Sequence, residues 1–478
     1  MIIRVRGNRR LGSLILPIPS SGEYVKGMSD LVRLIVPFLF LVVIDLLPIP
    51  VEDRIKYTLG TFICVSMLWT FGPLPLPVTA ILVPVLLTFF GIFPAAEALQ
   101  PFADPVVYLI MGGLILAEAF RKNGIDRRLS YMMISRLGED SRMTLLAFML
   151  VSAILSMWVS NTATVALLIP VVLSVTAGRS KVQYLLGIGF ASAIGGMATI
   201  TGSPPNAVTS GLLARETSWT FVDWMTVGLP VSIILLFISW HILVRLYPEG
   251  DTIDIDQVRR RLEEMGPLSN GEKRTLFIFF PTVVLWIVGA EIGALFDFPP
   301  GVMSATIVAL AASFLLFTSK ALEWEDARHI SWEIFLIVGA GLALGEGMEV
   351  SGTAEWIAEG LVSVIGSWEV VLMVLVIIAA TVAITNLMSN TATAAIFVPI
   401  LIGISATLGI DPKFLVLACG FAVSLSFITP IGTPPLTLIY AQGDVGRQEM
   451  ARGGIAVTVP AIMVLAPAIF LLVDLGVV

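Results

Sequence analysis

Apolar residues in this chain gather into long runs separated by short polar stretches. The runs fall roughly at 33 to 49, 57 to 72, 76 to 93, 103 to 120, 182 to 213, 225 to 246, 275 to 293, 301 to 318, 331 to 348, 412 to 440 and 455 to 476. Each is near the length of about 20 residues that an α-helix needs to cross the hydrocarbon core of a bilayer. Two further runs, 143 to 177 and 368 to 406, are too long for one crossing, and each is interrupted near its middle by Ser-Asn-Thr. Two half-depth helices joined by a polar tip would use that length; a single long broken helix is the competing reading. Non-helical backbone at membrane depth is tolerated only where it lines a protected cavity. The pattern therefore predicts an all-α polytopic membrane protein with about 11 transmembrane helices plus two re-entrant hairpins.

Composition agrees with lipid as the solvent. Hydrophobic residues make up 57% and charged residues 13% of the 478, against about 25% charged in soluble domains. The mean hydropathy is +0.94. Residues 1–30, with Arg4, Arg6, Arg9 and Arg10, carry an apolar stretch that ends at Pro17. That is too short for a signal-peptide core, so the segment reads as a cytoplasmic tail, and Met28 is a second candidate start. Cys64 and Cys419 both lie inside apolar runs and read as buried thiols rather than a disulfide.

Placement of charge tests the order of crossings. With the N-terminus inside and both hairpins returning to the side they left, only Arg54, Lys56, Arg215 and Lys413 of the 28 Lys and Arg fall outside. This is the bias of the positive-inside rule. It places the chain in the cell membrane with a cytoplasmic N-terminus and an external C-terminus.

The chain also resembles itself at an interval of about 230 positions. Gly113-Leu114, Glu118 and Gly124 recur as Gly341-Leu342, Glu346 and Gly352; SNTAT at Ser160 recurs at Ser389; Gly202-Ser203-Pro204-Pro205 recurs as Gly432-Thr433-Pro434-Pro435. Four crossings and one hairpin separate the matching spans, so the halves run in opposite directions. The expected organisation is a first half at 31–247 containing hairpin 143–177, a basic cytoplasmic linker at 248–274, and an inverted second half at 275–478 containing hairpin 368–406. Inverted repeats with broken helices near the midplane mark secondary transporters, whose substrate sits at the repeat interface.

The candidate chemistry lies in the interruptions. A Ser-Asn-Thr tip offers two hydroxyls and a carboxamide, together with free backbone groups where a half-helix starts. Helix N-termini favour anions, and carbonyl oxygens favour a small hard cation. The alternative role of such residues is simple capping. The Gly-Ser/Thr-Pro-Pro strings break their helices because proline lacks an NH and clashes with the preceding turn.

These paired strings, with GGMATITGSPPN at 195 to 206 and SLSFITPIGTPP at 424 to 435, resemble the divalent anion:sodium symporter family from about residue 33 to the end. The resemblance implies one Na⁺ site at Ser156, Ser160, Asn161 and Gly202, and a second at Thr385, Ser389, Asn390 and Gly432. It places the substrate between Asn161, Thr162, Ser203 and Pro204 of one half and Asn390, Thr391, Thr433 and Pro434 of the other. It further implies a homodimer, an elevator-type transporter and a sodium-dependent dicarboxylate cargo, with succinate favoured over sulfate, citrate or phosphate. Leu436 stands where the family has asparagine, as Asn206 supplies in the first half.

Proton coupling is the nearest rival, with Glu118 and Glu346 as its candidate groups, but the four motifs contain no ionisable side chain. A membrane enzyme would need a nucleophile with a base, or a metal-ligand cluster. The chain has only His241 and His329. No cofactor beyond Na⁺ as coupling ion is expected, and no nucleic-acid partner.

Overall fold

The computed structural model describes residues 30–72, 74–136, 140–176, 181–247, 255–430 and 432–478. The arginines of the tail, Met28 and residues 248–254 of the linker lie outside them. The described chain is helical, without a β-strand. The first eleven helices are Asp30–Leu46 (α1), Asp53–Phe71 (α2), Leu76–Phe89 (α3), Ala95–Leu99 (α4), Pro105–Asn123 (α5), Ile125–Arg136 (α6), Ser141–Ser156 (α7), Asn161–Val175 (α8), Lys181–Gly196 (α9), Pro204–Glu216 (α10) and Phe221–Leu246 (α11). After Ile255–Glu264 (α12) come Asn270–Leu295 (α13), Ala305–Thr318 (α14), Trp324–Ala327 (α15), Glu333–Val350 (α16), Thr353–Ile365 (α17), Val370–Thr385 (α18), Asn390–Leu408 (α19), Pro412–Ala422 (α20), Pro434–Ala441 (α21) and Arg447–Asp474 (α22). From α13 onward the helices follow the order of α2 to α11.

Residue chemistry sets several of these boundaries. Asp104 caps α5 by accepting from the Val106 NH at 2.9 Å, with Pro105 in the first turn where its missing NH costs nothing. Thr220 and Asp223 form a capping box at the start of α11, and Ser269 and Glu272 one at the start of α13. Gly124 and Gly352 adopt positive φ of 71° and 75°, a conformation glycine enters without a Cβ penalty. There α5 breaks into α6 and α16 into α17, the second pair with a bend of 74°. The stretches at 121 to 142 and 349 to 367, which fall between the apolar runs, thus contain helices.

Runs 182 to 213 and 412 to 440 are not continuous crossings. The first divides into α9, a 3-10 turn at Ile200–Gly202 and α10; the second into α20 and α21. In both, the proline pair sits in the first turn of the new helix, because proline can open a helix but not extend one. Among the described residues five helical segments are long and apolar enough to cross a membrane, and up to six if the bent pair α16 and α17 counts as one. α7, α8 and α18, at 14 to 16 described residues, fall short of that length. α19 is longer than its counterpart α8, continuing for 19 residues to a left-handed Gly409 cap.

α9 lies at the centre, its residues from Val182 to Gly196 all buried. Its glycines permit this. A Cβ at Gly195 would overlap the Ala153 backbone of α7, and one at Gly187 would press on Leu145 and Met149. Large apolar side chains point outward instead on α3, α13 and α14, as at Phe89 (79% exposed), Phe277 (81%) and Phe314 (67%). Such a surface suits lipid. Cys64 and Cys419 are buried free thiols.

Candidate functional site

The first Ser-Asn-Thr string forms the turn between α7 and α8. Ser160 is the N-cap of α8, its hydroxyl accepting from the Ala163 NH at 3.3 Å. One helical turn back, the Ser156 hydroxyl donates to Oδ1 of Asn161. That carboxamide lies directly on Gly196, where a Cβ would overlap it, and Gly202 packs on the Gly196 carbonyl. Ser156, Asn161, Gly196 and Gly202 therefore form one cluster. The broken segment after α9 is pinned at two points. The Thr199 hydroxyl donates to the Met157 carbonyl at 2.6 Å and accepts from the Gly202 NH at 3.1 Å. Asn206 Nδ2 donates to the carbonyls of Gly196 at 2.8 Å and Thr199 at 2.7 Å, leaving its buried Oδ1 unpartnered.

The second string repeats much of this. The Thr385 hydroxyl donates to Asn390 Oδ1 at 2.7 Å, and the Ser426 hydroxyl reaches the same oxygen at 3.2 Å. Gly432 lies against Ser426. The Thr429 hydroxyl donates to the Asn386 carbonyl at 2.6 Å and accepts from the Gly432 NH at 3.2 Å. Leu436 is buried against Gly189 and makes none of the bonds of Asn206. Instead Asn386 pins the segment from the other side, its Oδ1 accepting from the Ile428 NH at 2.9 Å. The Ser389 carbonyl takes the Thr393 hydroxyl at 3.0 Å.

Packing joins the two clusters across the sequence. Gly341 of α16 faces both Val208 of α10 and Ala395 of α19; one turn on, Gly345 faces Leu212 and Pro399. α10 and α19 thus advance together, which sets Pro204 level with Thr391. In the opposite sense α21 packs on α8 and α9. Gly189 of α9 meets Ile439 of α21, as Gly420 of α20 meets Thr209 of α10. Ser203 and Thr433 are buried where α10 and α21 begin; Thr162 and Thr391 are half-buried; Pro434 is exposed. Among the described residues no hydrogen bond links the first cluster to the second.

Four helix N-termini, at Asn161, Pro204, Asn390 and Pro434, thus open at breaks in apolar helices; α8 and α19 keep backbone NH groups in their first turns that suit an anion, whereas the proline pairs that open α10 and α21 have none and leave only the positive end of the helix dipole. The clusters themselves contain hydroxyl, carboxamide and carbonyl oxygens without a formal charge, a donor set that fits a small hard cation. The two carboxylates considered for proton coupling are ion-paired, Glu118 with Arg121 and Glu346 with Arg215 at 2.8 Å, the latter also 3.5 Å from Asp104.

The sequence profile described as the sodium:sulfate symporter transmembrane region matches residues 28–473. The chain belongs to this family. Among relatives of this sodium:sulfate symporter family member, an uncharacterized transporter of Methanocaldococcus jannaschii is 33% identical over 400 residues, covering 83% of this chain and 89% of that one. The sodium-dependent dicarboxylate transporter SdcS of Staphylococcus saprophyticus is 30% identical over 482 residues, covering 93% and 92%. Two solved structures share the fold at low identity. The Alcanivorax borkumensis YdaH transporter gives a TM-score of 0.55 at 13% identity over 88% of this chain and 98% of its own. Neisseria gonorrhoeae MtrF gives 0.55 at 12% over 89% and 97%.

Within this symporter fold, sequence reasoning passed over Thr199 and Thr429, which tie each broken helix to its hairpin tip. The signal was present: both stand three residues before the glycine of Gly-Ser/Thr-Pro-Pro. It also passed over Trp158. At the first tip Trp158 stacks on Trp286 of α13 at 5.8 Å and meets Phe279 edge-on at 5.4 Å. The matching residue of the second tip, Leu387, is 75% exposed.

Proposed function

We propose that this protein is a sodium-coupled symporter of small divalent anions, with C4-dicarboxylates such as succinate as the cargo. The carrying observation is the pair of carboxamide clusters, Ser156 with Asn161 and Thr385 with Asn390, each at the start of a helix beside a proline-broken helix. A dianion taken into the membrane faces a large desolvation cost. With no Arg or Lys in the four motifs, helix N-termini and co-bound Na⁺ are the sources of positive potential that offset it. One Na⁺ would use the oxygens of Ser156, Ser160, Asn161 and Gly202; the other those of Thr385, Ser389, Asn390 and Gly432. The anion would lie between Asn161, Thr162, Ser203 and Pro204 and their counterparts Asn390, Thr391, Thr433 and Pro434. That SdcS, its relative over most of the chain, is a sodium-dependent dicarboxylate transporter supports both the cargo and the ion.

Movement follows an elevator scheme in this proposal, with two inverted halves supplying both a scaffold and a mobile unit that holds the two hairpins as re-entrant elements. The protein works as a homodimer in the cell membrane, N-terminus inside and C-terminus outside. Uptake into proteoliposomes tests the coupling. An inward Na⁺ gradient should drive succinate accumulation, and replacing Na⁺ with choline should abolish it; accumulation on a proton gradient alone in Na⁺-free buffer would overturn the assignment. Counterflow against malate, citrate, sulfate and phosphate ranks the cargo.

A further inference from the structure

A cavity of about 470 Å³ lies against the first hairpin, α7 and α8, where α5, α6 and α12 pass it. Its wall is apolar, formed by Leu155, Val159, Leu167, Pro170 and Val171. Its rim is cationic, with Arg121 from α5, Arg127 from α6 and Arg261 from α12. Arg121 is paired with Glu118. Neither Arg127 nor Arg261 has an acidic side chain within ion-pair distance among the described residues, so both guanidinium groups are available. Asp126, the one acid in the lining, is buried, and its carboxylate accepts from the Arg127 backbone NH at 2.8 Å. Thr164 also lines the cavity, and its buried hydroxyl has no hydrogen-bond partner.

We infer that this cavity binds an amphiphilic anion, its acidic head on Arg127 and Arg261 and its hydrocarbon chain along α8. A small dianion does not match the wall, because its polar groups would lie on hydrocarbon without partners. The volume lies in the range of roughly 300 to 1,000 Å³ typical of sites for drug-sized ligands. Guanidinium groups suit carboxylate and phosphate heads equally, so a free fatty acid and an anionic bilayer lipid share the required chemistry. Either occupant would bridge α6 to the hairpin that carries Asn161.

The test uses the full chain in phosphatidylcholine nanodiscs, titrated with oleate, methyl oleate or succinate and followed by unfolding temperature and tryptophan fluorescence. Oleate should give a saturable shift that methyl oleate does not. R127Q combined with R261Q should weaken it by roughly tenfold or more, the scale of losing charge-assisted bonds. Leu167→Trp, which fills the cavity, should abolish it. If phosphatidylglycerol nanodiscs show the stabilisation without oleate, and the arginine substitutions remove it, the bilayer supplies the same kind of ligand. Equal effects of methyl oleate, an unchanged response in the arginine variant, or an arginine-dependent shift with succinate alone would overturn the inference. If the tryptophan variant does not fold, the arginine variant, altered only at rim side chains, decides.

Discussion

Asn161 and Asn390 occupy matching places but have different company. Asn161 Oδ1 takes one hydroxyl, from Ser156, whereas Asn390 Oδ1 takes two, from Thr385 and Ser426. Asn161→Ala should therefore do the greater harm, weakening apparent Na⁺ affinity about tenfold to a hundredfold in uptake assays, the scale of two strong polar contacts. Asn390→Ala should be milder, and Glu118→Gln should leave Na⁺ dependence unchanged. Asn206→Leu, which copies the second half into the first, strips partners from the Gly196 and Thr199 carbonyls. It should lower stability by about 1–3 kcal/mol in a thermal-unfolding assay. Asp126 offers a pH signature, since burial raises its carboxyl from 3.8 to about 6. A raised acid pKa means that the folded state holds the proton more tightly. Its contribution is thus full below pH 4 and lost as pH rises towards about 6, with a ceiling of about 3 kcal/mol. Asp126→Asn should flatten that part of the stability profile. At this scale the sequence was legible wherever a residue recurred, as for Ser156 and Thr385. It was silent where the halves differ: nothing in Leu436 alone reveals that Asn386 takes over the pinning role of Asn206.

At the level of elements, apolar length predicted most helices but not their interruptions. Within run 182 to 213 the Gly202-Ser203-Pro204-Pro205 string marks the break, but apolar length does not register that the helix stops for seven residues, through a 3-10 turn, before it restarts at the proline pair. The helix α6 was missed because it carries too much charge to stand out against its flanking polar turns. The hairpin tips differ in their docking. Trp158 is held by Trp286 and Phe279, while Leu387 stands free. Aromatic pairs contribute about 0.5–1.5 kcal/mol each beyond burial. Trp158→Ala should accordingly favour undocking of the first tip, and thiol labelling of a cysteine placed at Val159 should accelerate several-fold. Unchanged labelling would mean that the aromatic contacts do not hold the tip.

For the whole molecule, the recurrence of motifs could be read from the sequence, whereas the way the two series grip each other could not, because no local pattern encodes contacts between distant helices. If both hairpins travel together against a scaffold, cysteine pairs joining α13 to the first tip should crosslink to different extents with and without Na⁺. Identical patterns would count against an elevator. The grip also bears on synthesis. α8 and α9 are complete early, yet the α21 surface that packs on them is translated more than two hundred residues later. At about 5–20 residues per second, the groove on α9 at Gly189 waits roughly 12 to 50 s for Leu436 and Ile439. A chain cut within 248–254 should for that reason yield an assembled protein only when both pieces are made in the same membrane, each serving as the template on which the other finishes folding.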